Sequence, residues 1–230
     1  MEKKHYKDHL IIIRRFVINE NDLLLTCYSY LFGKCLVKAN GSKRILSKYI
    51  GKMEPLSVIQ AEIYNSGKSL TLTNATLELA GPMAPSLQTF TVAQKICKII
   101  IENIEFNERN QKIFKLLYEC IIELNNDQKP EIVWQYFKTK FLQFNGNLPT
   151  LNKCSICNLQ IETSSHYAQT LTCSKCTQDR NHRTISLNGL KSIHFFSTRN
   201  NVHEANKLKI PNETLQEIDT FTEALINHSS

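Results

Sequence analysis

Short β-branched or alternating apolar runs mark the first eighty residues and read as β-strands. Residues 10–18 form a β-branched-rich run that stops at Asn19-Glu20-Asn21-Asp22, a turn-forming cluster. Across residues 23–30 the odd positions Leu23, Leu25 and Cys27 face a core, and the even positions Thr26, Tyr28 and Tyr30 face outward. After Gly33 the pattern alternates again, with Cys35 and Val37 on one side and Lys34 and Lys38 on the other. Asn40-Gly41-Ser42 reads as a loop. Residues 57–64 and 69–79 read as two more strands joined by Asn65-Ser66-Gly67-Lys68, a hairpin signal. Five short strands predict a small closed or partly closed barrel, and a basic, aromatic-bearing face on it suggests an OB-fold.

Gly81-Pro82 and Pro85 punctuate the chain, and the period changes. Apolar residues then recur at helical spacing as Phe90, Ala93, Ile96, Cys97, Ile100, Ile101 and Ile104. Residues 113–124 and 130–144 behave likewise. Pro130 suits a first helical turn and Gly146 a C-terminal cap. These helices are apolar on much of their circumference, so they are expected to pack on each other, with their aromatic residues in the core. Residues 185–196 and 211–226 read as two further helices. The fold class is α+β, with a barrel over residues 1–80 and a helical domain over 81–230.

The composition fits such a pair of domains: 230 residues, 42% hydrophobic and 21% charged. No apolar run reaches the length of a membrane span. The short stretch 10–13 is broken by Arg14-Arg15 and is no signal peptide. The chain is therefore expected in the cytoplasm, where its eight cysteines read as buried thiols or metal ligands before disulfides. The net charge of +7 is concentrated at the front: residues 1–80 carry 12 Lys+Arg against 7 Asp+Glu. Between Asp22 and Glu54 there is no acid at all, while Lys34, Lys38, Lys43, Arg44, Lys48 and Lys52 fall inside that gap. A solvated face mixes signs, so this points to a polyanion partner.

The most specific chemical signal is Cys154-Ser155-Ile156-Cys157 and, after fifteen residues, Cys173-Ser174-Lys175-Cys176. Two residues between ligands let one tight knuckle present two thiolates to a tetrahedral ion, and the second knuckle completes the shell. One zinc ion per chain is the expected cofactor, with iron the alternative. Four cysteines leave no open coordination position, so the metal reads as structural. His166, His182 and His194 are near enough in sequence to substitute as ligands, and surface histidines are the plainer reading. Cys27, Cys35, Cys97 and Cys120 lie in apolar patterns and are expected in cores. There is no phosphate-binding glycine loop, dinucleotide fingerprint or nucleophile elbow, and no H-x-E segment before the second knuckle of the kind nucleobase deaminases need. No catalytic constellation emerges, and the chain is not expected to be an enzyme.

The order of parts resembles the RecO family of bacterial DNA recombination mediators. Asn19-Glu20-Asn21-Asp22 stands where that family has a polar turn, and Phe32-Gly33-Lys34 is similar to its turn of a hydrophobic residue, glycine and lysine. Lys38-Ala39-Asn40-Gly41-Ser42-Lys43-Arg44 resembles its basic loop, though abbreviated. Glu54-Pro55-Leu56 with Glu62-Ile63-Tyr64 is similar to the paired strands that follow, and Gly146-Asn147-Leu148-Pro149 to the lead-in to its cysteine module.

The resemblance implies an N-terminal OB-fold and a helical domain with an inserted zinc module at about residues 147–185. It implies a non-enzymatic, nucleoid-associated protein of DNA damage repair by the RecF pathway. Such a protein binds single- and double-stranded DNA, anneals complementary strands and, with RecR, helps load RecA on DNA coated by single-strand-binding protein (SSB), with no membrane partner. The phosphate contacts expected are Lys34, Lys38, Lys43, Arg44 and Lys48, with Arg14 and Arg15 less settled because their strand face is ambiguous. Tyr28 or Tyr30 offers a stacking face, unless both only pack a strand edge. The tail of SSB is implied to enter the helical domain, where Lys95, Lys98, Lys112 and Lys115 accompany large apolar residues. An RNA-binding OB-fold protein, or a zinc enzyme with fewer than four protein ligands, are the alternatives.

Overall fold

The computed structural model describes residues 4–82, 86–126, 129–167, 170–177 and 183–227; Pro85 and His182 lie outside them. Two compact units follow one another, Met1–Asp127 and Gln128–Ser230.

In the first unit, β1 (Lys4–Val17), β2 (Leu23–Ser29), β3 (Gly33–Ala39), β4 (Val58–Asn65) and β5 (Leu70–Leu79) close into a barrel of order β1-β2-β3-β5-β4. Strand β1 is long enough to serve two neighbours. Its first half pairs with β4 and its second with β2, so a single strand closes the ring. The β3–β5 pairing is parallel, Val37 opposite Leu70, as the connection through β4 requires. The predicted inward positions Leu23, Leu25, Cys27, Cys35 and Val37 all join the barrel core, with Leu10, Ile12, Ile59 and Ile63. Burial pushes the Cys27 and Cys35 thiols well up, Cys35 to about 12, which makes them packing groups. This is the OB-fold, and the chain as a whole is α+β.

Helices α1 (Leu87–Asn103) and α2 (Gln111–Asn125) are each started by a side-chain cap: Ser86 accepts from the Thr89 amide and Asn110 from the Lys112 amide. Both pack on β1, so the barrel's outer wall supplies apolar surface that the sequence pattern assigned to the other helices.

The second unit is built round α3 (Pro130–Phe144), with Pro130 in its first turn and Gly146 at positive φ just beyond it, as predicted. From Pro130 to Leu142 only Glu131 stays exposed, because α4 (Leu187–Thr198), α5 (Val202–Ala205) and α6 (Asn212–Asn227) all pack against it. Between α3 and α4 runs a segment with β6 (Ser165–Tyr167), β7 (Leu171–Thr172) and β8 (Arg183–Ile185) in the order β7-β6-β8. No helix among the described residues is long and apolar enough to cross a membrane.

Candidate metal centre and nucleic-acid interface

Local hydrogen bonds fold each Cys-x-x-Cys segment into a knuckle. The Asn158 amide donates to the Cys154 carbonyl at 3.0 Å while Asn158 takes φ 61°, and the Cys154 amide returns to the Leu159 carbonyl at 2.9 Å. In the second knuckle, the Cys176 and Thr177 amides both donate to the Cys173 carbonyl. The antiparallel pairing of β6 with β7 brings the second knuckle back to the first, and the Ser155 amide donates to the Leu171 carbonyl at 2.9 Å. The four sulfurs of Cys154, Cys157, Cys173 and Cys176 consequently lie within 4.8 Å of one another, with Cys157 Sγ and Cys173 Sγ 3.8 Å apart. A tetrahedral thiolate shell with metal–sulfur bonds of about 2.3 Å has sulfur–sulfur edges of ~3.8 Å, so these side chains can hold a metal ion.

Burial pushes the Cys154 thiol up, but hydrogen bonds from the Cys157, Cys173 and Ile156 amides outweigh it and bring it down to about 6. Cys176, facing the other sulfurs, is driven up to about 12. Four thiolates this close need a cation to share one site. Among the described residues the cluster contains only cysteines; His166 and His194 lie outside it. The Tyr167 ring meets Phe221 of α6 edge-on at 4.7 Å, tying the module to the helical core.

On the barrel, a register shift between Ile12 and Arg14 turns the end of β1. Arg14 then stands opposite Thr26, which stands opposite Leu36; Phe16 stands opposite Leu24, which stands opposite Lys38. Two rows thus cross three strands on the outer face. Phe16 (40% exposed) and Leu36 (41%) give it apolar surface, and the Arg14 guanidinium lies 4.3 Å from the Phe16 ring centroid. The Lys38 ammonium is 3.8 Å from an Asp22 oxygen. The rows run into the 40–54 loop, whose Lys43, Arg44 and Lys48 are exposed, Lys48 Nζ also donating to the Thr73 carbonyl. Arg15 is exposed but held at 2.5 Å by Glu54.

Two of the expected contacts have other work. Lys34 is buried, its Nζ donating at 2.8 Å to the Ile101 carbonyl in the last turn of α1 and lying over the Phe106 ring. It satisfies an orphan helix carbonyl, and desolvation lowers its pKa. Gly33 beside it has φ +71°, and a Cβ there would sit 1.9 Å from the Glu108 carbonyl oxygen. The Phe-Gly-Lys turn is therefore a docking point for the 105–110 loop, and Lys34 is withdrawn as a phosphate contact. Tyr28 does not face solvent either. It is fully buried, its hydroxyl donating to the Asn110 carbonyl and accepting from the Asn110 amide, and burial raises it to about 12. Tyr30 is half-buried with its ring edge-on to Phe114 at 5.3 Å. Phe16 is the aromatic that the sequence reading missed; its one signal was the spacing Arg14-x-Phe16 at a strand end.

Family models for the recombination protein O N terminal and C terminal match residues 1–79 and 84–229. The chain belongs to the RecO family. A DNA repair protein RecO from Dehalococcoides mccartyi strain 195 is 25% identical over 232 residues, covering 98% of this chain and 91% of its own length. One from Listeria monocytogenes serotype 4b is 24% identical over 193 residues, 81% of this chain and 74% of its own. A third, from Desulforamulus reducens, is 28% identical over 169 residues, 72% and 65%. The RecO match runs through both compact units, barrel and cysteine module alike.

Proposed function

We propose that this RecO-family chain is a non-enzymatic, cytoplasmic, nucleoid-associated DNA repair protein that binds single- and double-stranded DNA and anneals complementary strands. The observation that carries this reading is the barrel face: Arg14, Phe16, Leu36 and Lys38 in two rows that lead into the loop stretch before Glu54, which has no acid and bears Lys43, Arg44 and Lys48. Cations there neutralise phosphates while Phe16 offers a base-stacking surface, and nothing in that chemistry reads sequence. Phe16 replaces Tyr28 as the stacking candidate, with Tyr30 secondary because Phe114 already occupies one of its edges.

DNA is assigned to residues 1–80 and the helical domain, zinc module included, to 81–230, the division between the two family models, although α1 and α2 pack on the barrel and the compact units divide at 127/128. One zinc ion on Cys154, Cys157, Cys173 and Cys176 has a structural role, since four thiolates fill its shell. RecR and SSB are the protein partners, with RecA loaded through them. For the SSB tail, apolar at its end and acidic, support comes from a cavity of about 410 Å³ beside the first knuckle. It is lined by Leu151, Ile161, Leu187 and Leu190, with Lys191 and His194 but also Glu162 at its side. On α1 and α2, Lys98 pairs with Glu102 at 3.9 Å, and Lys95, Lys112 and Lys115 are exposed.

The test is annealing of complementary strands, naked and SSB-coated. The protein is expected to speed both reactions, and a peptide of the SSB C-terminus is expected to slow only the coated one. No acceleration of either, with the protein folded and metal-loaded, would remove the annealing function.

A further inference from the structure

Ile45 is 91% exposed and Leu46 96%, higher than any other large apolar side chain among the described residues. They form the tip of the loop between β3 and β4, and that loop is not slack. On one side the Gly41 amide donates to Asp22 at 2.8 Å and the Lys43 amide to the Asn21 carbonyl at 3.0 Å. On the other, Tyr49 and Met53 are buried in the barrel core, and the Tyr49 hydroxyl donates to the Leu72 carbonyl. Two successive turns, Ser47 amide to Arg44 carbonyl and Ile50 amide to Ser47 carbonyl, shape the tip. The segment thus buries Tyr49 and Met53 while it holds the adjacent Ile45 and Leu46, and to a lesser degree Ile50 (61% exposed), out in water.

Charge says what meets them. Lys43 and Arg44 precede the pair, Lys48 follows it, and no acid occurs between Asp22 and Glu54. Aliphatic side chains framed by cations fit a partner whose apolar faces lie just inside an anionic shell, as stacked bases lie inside their phosphates. The loop also continues directly from β3, whose Leu36 and Lys38 belong to the two rows on the barrel face.

We propose that Ile45 and Leu46 are a wedge that inserts between adjacent bases of a DNA strand held on that face and parts one base step, while Lys43 and Arg44 hold the flanking phosphates. This rests on the DNA-binding reading above. The wedge makes no sequence-specific contact, so it acts on any step that unstacks readily.

The experiment uses the full chain and an oligonucleotide carrying 2-aminopurine, whose fluorescence is quenched by stacking, with anisotropy of an end label reporting binding separately. The wild type is expected to brighten 2-aminopurine on binding. The double variant Ile45→Ser, Leu46→Ser is expected to bind about tenfold more weakly with an unchanged salt dependence, and to leave the probe dark at saturation. Leu87→Ser, an equally solvent-facing change on α1 (80% exposed), is expected to behave as wild type. Full brightening by the double variant would overturn the wedge and leave DNA binding intact, whereas no anisotropy change with wild type would overturn the DNA reading itself. Two other results would reassign the pair and overturn the proposal. One is co-sedimentation of wild type, but not the variant, with phosphatidylserine vesicles while 2-aminopurine stays dark. The other is a wild-type dimer that the variant abolishes.

Discussion

Cys154→Ser is expected to abolish metal binding and to loosen residues 147–185 while leaving the barrel folded. Cys154 is the most buried of the four thiols, and three backbone amides already favour its ionised form, so it is the ligand whose loss the others can least replace. Structural zinc contributes on the order of 10 kcal/mol to the folding of small isolated modules. Here part of that support comes from elsewhere, since Leu151, Ile161, Tyr167 and Ile185 are buried and Tyr167 packs on Phe221. The expected outcome is therefore proteolytic sensitivity confined to the module. Native mass spectrometry should find one zinc on freshly purified wild type and none on the variant, with DNA affinity retained. Wild type without any metal would contradict the assignment.

Asp219→Ala is expected to destabilise the second unit by about 3 kcal/mol, the lower end for breaking a buried ion pair because Asp219 keeps 31% side-chain exposure. One oxygen of this α6 carboxylate accepts from Trp134 Nε1 at 2.7 Å, Gln135 Nε2 at 2.9 Å and Lys138 Nζ at 2.5 Å, all on α3. The Lys138 side chain is wholly buried, so Asp219→Ala costs a buried ammonium its ion pair and leaves it the Asp219 backbone carbonyl at 3.2 Å. Pairing Asp219→Leu with Lys138→Met should recover only part of the loss, because Trp134 Nε1 and Gln135 Nε2 still lose the carboxylate, Gln135 keeping only the longer bond to the Leu215 carbonyl at 3.5 Å.

Burial would raise the Asp219 carboxyl, but the Lys138 ammonium, with Gln135 and Trp134, outweighs it and holds the group below the ordinary carboxylate range. Its folded value is thus below its unfolded one. The stabilisation is complete above the unfolded value of about 3.9 and is lost as pH falls through the folded one. Trp134 is the chain's only tryptophan, so its fluorescence during urea unfolding reports this unit directly. Equal stability of wild type and Asp219→Ala at pH 7 would contradict the argument.

What the sequence made legible was what short-range chemistry decides. The inward positions of β2 and β3 follow from alternation alone, and the cysteine knuckles from a two-residue spacing that only a tight turn uses. What it hid depends on distant chain segments. Tyr28 reads as outward because a barrel wall has two faces. Nothing near it announces Asn110, 82 residues on, whose backbone closes over the hydroxyl. Lys34 reads as a surface cation for the same reason, since its carbonyl acceptor is 67 residues away. Phe16 was missed because alternation carried unbroken through Ile13 does not show the shift that sets it beside Arg14. Residues 4–9 were missed as strand because they are nearly all polar; β4 supplies the pairing that hydrophobicity does not. The polar cluster in α3 is invisible until α6 brings Asp219 to it.

A salt titration of single-stranded DNA affinity tests most directly whether the barrel face holds DNA through its phosphates. Five contacts from Arg14, Lys38, Lys43, Arg44 and Lys48 predict a slope of about −3.5 in log affinity against log salt, at about −0.7 per phosphate. Lys43→Glu with Arg44→Glu should bring the slope to about −2 and weaken binding of unrelated sequences alike. A matched RNA should compete no better than DNA. An affinity and slope unchanged in that variant would contradict the account.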